Sequence, residues 1–129
     1  MAGELTSRKV LLVDDDRDIL AAMQTVLSEE GAEVLTAQDG NEAIIQAESQ
    51  APDLVVLDMM LPKRSGFLVL EKLKRGKKKS DPPRVIMITG NQGQRHKVYA
   101  ESLGVNAYLN KPFRMEKLVE TVKKLLNVN

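Results

Sequence analysis

The chain has 129 residues, 43% apolar, 3% aromatic and 29% charged, with a formal net charge of +1 and no cysteine. A chain of this length supports one aliphatic core. The near-neutral balance provides no overall field for nucleic acid or an anionic membrane, and the missing cysteines exclude disulfides, thiolate metal sites and a cysteine nucleophile. The opening MAGELTSRK has no apolar signal core, and no run reaches the ~20 residues of a membrane span, so a soluble, cytoplasmic protein is expected.

The first predicted strand, Val10–Val13 (VLLV), runs straight into Asp14, Asp15 and Asp16. Ile19, Leu20, Met23, Val26 and Leu27 then share one helical face, and Gly31 marks its end. Val34–Ala37 is the second strand. Asp39–Asn41 (DGN) starts a short helix carrying Ala43, Ile44 and Ala47. Leu54–Leu57 (LVVL) is the third strand, followed by Asp58 and the loop MMLPKRSG, then a helix with Phe67, Leu70 and Leu73. Lys72–Arg84 (KLKRGKKKSDPPR) reads as the end of that helix and an extended, exposed loop. Val85–Ile88 (VIMI) is the fourth strand, ending at Thr89. Gln92–Leu103 is the weakest helix: Gly93 weakens its first turn, its apolar stripe is only Val98, Tyr99 and Leu103, and Gly104 stops it. His96 falls on its polar face as a surface residue. Ala107–Leu109 is the fifth strand, ending near Lys111 and Pro112, and Phe113 begins a last helix with Met115, Leu118, Val119, Val122, Leu125 and Leu126 inward.

Continuously apolar strands are covered on both faces. Their alternation with helices therefore implies an α/β fold: a doubly wound, five-stranded parallel sheet of order 2-1-3-4-5, a flavodoxin-like (βα)5 three-layer sandwich. No linker, repeat or second domain is visible, so residues 1–129 are expected to form one domain with a core from about 9 to 126. In such sheets the site lies at the carboxyl ends of the strands. Strands 1 and 3 are then neighbours, and Asp14, Asp15 and Asp58 converge.

Clustered carboxylates cannot all remain ionised without compensation, and Mg²⁺ is suited to relieve them. Asp16, preceding a helix, is read as its N-cap instead. Asp58 at a strand end can act as a nucleophile towards a phosphoryl donor. The transferred group's oxygens would be met by Mg²⁺, Lys111 and the Thr89 hydroxyl.

These residues resemble a response-regulator receiver domain of two-component phosphorelays, of the chemotaxis-regulator type. The resemblance rests on VDDD (Asp14, Asp15), DMMLPKRSG (Asp58), MITGN (Thr89), AYLNKPF (Tyr108, Lys111, Pro112) and the AQDGNEAI turn. It implies a phosphoacceptor, Asp58, charged by a sensor histidine kinase or histidine phosphotransfer protein, with no turnover of an external substrate. It implies Asp58, Thr89 and Lys111 as the reacting set and Thr89 and Tyr108 as switch residues. Mg²⁺ would be held by Asp15, Asp58 and the Met60 carbonyl, with Asp14 acting through water. It also implies that Met60 and Asn91 flank the path of a hydrolytic water. The signal would leave through helix 4, strand 5 and helix 5 to a downstream protein or an output domain.

Two other readings stand beside this one. A Mg²⁺-dependent aspartyl-nucleophile phosphatase or phosphotransferase would usually carry a second acid two residues after the nucleophile, where this chain has Met60. A flavodoxin-like cofactor module would need a phosphate-cradling loop, and no GxxxxGK motif is present. The basic run Lys72–Lys79 lacks interleaved aromatics, so neither nucleic acid nor membrane is expected as a partner.

Overall fold

The computed structural model describes residues 3–90 and 94–126. Five strands and five helices alternate: β1 Lys9–Val13, α1 Arg17–Glu29, β2 Glu33–Ala37, α2 Gly40–Gln50, β3 Leu54–Asp58, α3 Gly66–Lys74, β4 Arg84–Thr89, α4 Gln94–Ser102, β5 Ala107–Asn110 and α5 Met115–Leu125. All strand pairs are parallel, in the order β2-β1-β3-β4-β5. The order reverses at β1, so the chain leaves β1 and β3 towards opposite faces and a crevice opens between their carboxyl ends.

Alternate strand residues enter two separate cores. Leu11, Val13, Val55, Leu57, Val85 and Met87 pack beneath α2, α3 and α4. Val10, Leu12, Leu54, Val56, Ile86 and Ile88 pack beneath α1 and α5 with Leu20, Met23, Leu27, Leu118 and Val122. Each fully buried aliphatic side chain contributes roughly 1.5–3 kcal/mol. A charge at Val55 or Val56, both fully buried, would leave an uncompensated ion in one layer or the other. Leu5, ahead of β1, is also fully buried, and its N–H donates to the Glu30 carbonyl at 2.8 Å. The core thus reaches back beyond residue 9.

The capping expectations hold. Asp16 caps α1, accepting from the Asp18 and Ile19 N–H groups at 2.9 and 3.2 Å. Asp39 caps α2. Gly31 and Gly104 take the left-handed φ values of 94° and 93° that end α1 and α4.

Four local readings are corrected. The stripe assigned to the fourth helix is divided: Val98 and Tyr99 are 55% and 48% exposed, whereas Leu103 packs on the core with the small Ala100. Gln92 and Gly93 lie outside the described residues. His96 is half-buried rather than a surface group. Its ring is 5.8 Å from that of Phe67, and its Nδ1 is buried without a hydrogen-bond partner among the described residues. The basic segment after α3 is folded back, not extended. Lys74 is buried and its ammonium donates to the carbonyls of Lys79, Asp81 and Pro83 at 3.0, 2.9 and 3.3 Å. Asn106 Nδ2 holds the same Lys79 carbonyl at 2.8 Å. Phe113 packs on the core, but α5 begins two residues later, at Met115.

Candidate functional site

β1 delivers Asp14 to the crevice. The residue is buried, its N–H donates to the Ala37 carbonyl at 3.2 Å, and its Oδ1 accepts from the Asp16 N–H at 2.9 Å. Asp15 follows on the exposed rim. Asp58 is the last residue of β3 and only 4% exposed, because β1 and β4 flank it. Carboxylate oxygens of Asp14, Asp15 and Asp58 lie within 4.8 Å of one another. The expected convergence of the two strand ends is therefore present.

This proximity is electrostatically costly. Burial, and then the charge of Asp14, push the Asp58 carboxyl up to about 6, against the Met60 N–H and Lys111, which favour its ionised form. The Met60 N–H donates to Asp58 Oδ1 at 3.2 Å. Lys111 Nζ stands 3.2 Å from Asp14 Oδ2 and 3.5 Å from Asp58 Oδ2. Burial works against the lysine charge, but the two carboxylates outweigh it and hold its pKa above the ordinary value.

One ammonium among three carboxylates leaves a formal excess of two negative charges. Among the described residues, Asp14 Oδ2 accepts no well-formed hydrogen bond despite the lysine 3.2 Å away. An underserved, buried carboxylate oxygen within an all-oxygen donor set matches the preference of a hard divalent cation. These three residues are thus able to hold a metal ion.

Thr89, the last residue of β4, is buried, and its carbonyl accepts from the Lys111 N–H at 2.7 Å. This bond ties the end of β4 to the segment that carries the lysine. Tyr108, on β5, is half-buried with its hydroxyl inside, where it makes no well-formed hydrogen bond among the described residues. Burial raises its phenol pKa, and the Thr89 side chain partly offsets that rise. Met60 is 70% exposed at the mouth of the crevice. Asn91 lies outside the described residues. A groove of about 730 Å³, lined by Ala47, Asp53, Lys72 and Pro83 among others, opens at the opposite end of the sheet and contains none of these groups.

The pairing of Asp39 with Lys63 at 3.6 Å, which ties α2 to the loop after β3, was not anticipated. The only sequence signal for it was the AQDGNEAI turn. Among the described residues no helix is long and apolar enough to cross a membrane.

Comparison with known proteins agrees with this arrangement. The chain is 39% identical over 120 residues to the alkaline phosphatase synthesis transcriptional regulatory protein PhoP of Bacillus subtilis (strain 168), covering 93% of this chain and 49% of that protein. It spans about half the length of the curated relatives it matches. Among solved structures, the receiver domain of the Francisella response regulator 1452 superposes with a TM-score of 0.85 at 29% identity, covering 94% of this chain and 98% of that one. A CheY-like receiver domain protein of Methanospirillum hungatei JF-1 superposes with a TM-score of 0.82 at 32% identity, covering 93% and 94%. The family model of the response regulator receiver domain matches residues 10–123, and the chain belongs to that family.

Proposed function

We propose that this chain is a phosphoacceptor whose Asp58 takes a phosphoryl group from a phosphohistidine donor, with Mg²⁺ bound by Asp15, Asp58 and the Met60 carbonyl and by Asp14 through water. The carrying observation is the convergence of Asp14, Asp15 and Lys111 on the buried carboxylate of Asp58. Mg²⁺, when bound, supplies positive charge to the phosphoryl oxygens. An Asp58 oxygen forms a bond to phosphorus as the phosphorus–nitrogen bond of the donor breaks, and the histidine departs. Lys111 moves from pairing carboxylates to neutralising a phosphoryl oxygen, and the Thr89 hydroxyl donates to another. Hydrolysis of the acyl phosphate resets the chain, so it modifies itself and turns over no external substrate.

Residues 1–129 act in this reading as one receiver unit. Its donor is a sensor histidine kinase or phosphotransfer protein, and its signal passes to a downstream protein or output domain. Phosphorylation draws Thr89 inward and shifts Tyr108 towards its inner setting, which reshapes the face built by α4, β5 and α5. The exposed Val98 and Tyr99 on α4 support that face as the docking surface.

The test is incubation with acetyl phosphate and Mg²⁺ alongside a turnover assay on p-nitrophenyl phosphate. The expected result is acid- and base-labile incorporation of up to one phosphoryl group per chain and no sustained ester hydrolysis. Sustained hydrolysis without labelling would favour an aspartyl phosphatase.

A further inference from the structure

The AQDGNEAI turn has no part in the chemistry above, yet it grips the loop that follows Asp58. The Gly40 N–H donates to the Pro62 carbonyl at 3.3 Å, and the same carbonyl accepts from the Arg64 N–H at 2.7 Å. A Cβ placed on Gly40 would stand 2.3 Å from the Arg64 carbonyl oxygen and 2.6 Å from the Arg64 Cβ. Glycine is required here by close approach to a backbone, since no left-handed φ is involved. Asp39 adds an ion pair at 3.6 Å to Lys63, which is itself left-handed at φ 68°. Pro62, Lys63 and Arg64 are thus each held by the start of α2.

The far end of the loop is held just as closely. The Gly66 N–H donates to the Met59 carbonyl at 2.9 Å, and a Cβ on Gly66 would meet the Asp58 carbonyl oxygen at 2.4 Å. Met60, whose N–H donates to Asp58 Oδ1, lies between these two anchors. Opening the Gly40–Arg64 approach from 2.3 Å to an ordinary contact of 3.4 Å moves the loop by about 1 Å. Misplacement on that scale can slow an oriented reaction ~100-fold.

We propose that Gly40 and Asp39 are positioning residues for phosphoryl transfer, holding the acceptor loop so that the Met60 backbone stays in register with Asp58. The inference rests on Asp58 being the acceptor. Neither residue touches the reacting atoms. Both act through Pro62, Lys63 and Arg64.

The test compares rates of phosphoryl uptake from acetyl phosphate, Mg²⁺ affinity from amide chemical shifts, and thermal midpoints. The variants are Gly40→Ala, Asp39→Asn and Val10→Ala. Val10 is fully buried at the far end of β1, so its truncation lowers stability without touching the loop. Asn caps a helix about as well as Asp, so Asp39→Asn removes the loop contact and keeps α2. Gly40→Ala should slow uptake about tenfold or more and weaken Mg²⁺ binding. Asp39→Asn should slow uptake about two- to fivefold, the reach of an exposed ion pair. Val10→Ala should stay within about twofold of wild type at an equal or larger loss of midpoint. Wild-type uptake in Gly40→Ala, or in Asp39→Asn should Gly40→Ala not fold, overturns the inference, as does equal slowing in Val10→Ala. A wild-type chain that takes no label at all overturns the acceptor reading instead.

Discussion

Replacing Asp58 by Asn should make the metal-free protein more stable at neutral pH. In the folded chain burial and the neighbouring Asp14 raise the Asp58 carboxyl from 3.8 to about 6. A rise of about two units corresponds to about 3 kcal/mol favouring the neutral form. That balance already includes the attraction of Lys111, so the amide should stabilise the fold by up to about 3 kcal/mol, or roughly 5–12 °C in midpoint. The folded pKa lies above the unfolded one, so the native state binds this proton more tightly. The Asp58 contribution is fully present below about 3.8 and is lost as pH rises through about 6. The advantage of the variant should therefore be full at pH 7.5, shrink between about 6 and 4, and vanish below that. Thermal unfolding of both chains in a chelator, across this pH range, measures the difference directly. Mg²⁺ at pH 7.5 should then raise the wild-type midpoint more than that of the variant. A variant less stable than wild type at pH 7.5, or a difference that does not change with pH, would refute the claim that the fold holds this carboxylate against its charge.

Three further outcomes are expected. Lys74→Met leaves the carbonyls of Lys79, Asp81 and Pro83 without their shared donor, and denaturant unfolding should register a loss of about 1–3 kcal/mol. Beryllofluoride with Mg²⁺ should move the resonances of Thr89, Tyr99 and Tyr108. Changes confined to the Asp58 loop would contradict a switch through β4 and β5. Met60 offers a thioether, only a weak acceptor, at the exposed mouth of the site. The double variant Met60→Asn, Asn91→Glu should therefore lose its acyl phosphate several-fold faster, a barrier change of about 1 kcal/mol. Decay no faster than wild type would show that these side chains do not set the lifetime.

The strands and the meeting of Asp14, Asp15 and Asp58 were legible in the sequence for a physical reason. VLLV, LVVL and VIMI are apolar without alternation because each lies between two helical layers, and that pattern alone implies a parallel sheet. The sheet order then brings Asp14 and Asp58 together, since a strand-end position is set by topology rather than by side-chain detail. Other features depend on neighbours that a linear reading does not supply. A run of lysines reads as a solvated loop, and only the fold-back of residues 79–83 surrounds Lys74 with carbonyls. In α4 the larger apolar residues Val98 and Tyr99 face outward while Ala100 faces the core. Periodicity joins Val98 and Tyr99 to Leu103 in one stripe, which the fold divides between solvent and core. Gly40 reads as turn chemistry, but its need for a bare Cα comes from Arg64, 24 positions further along the chain.

The account stands most directly on which atom receives the phosphoryl group. Intact and peptide mass spectrometry after treatment with acetyl phosphate and Mg²⁺, on wild type and on Asp58→Asn, decides it. The prediction is a single phosphoryl adduct mapped to Asp58 in the wild type, absent when Mg²⁺ is chelated and absent from the variant. Undiminished labelling of Asp58→Asn, or an adduct mapped to another residue, would contradict the account.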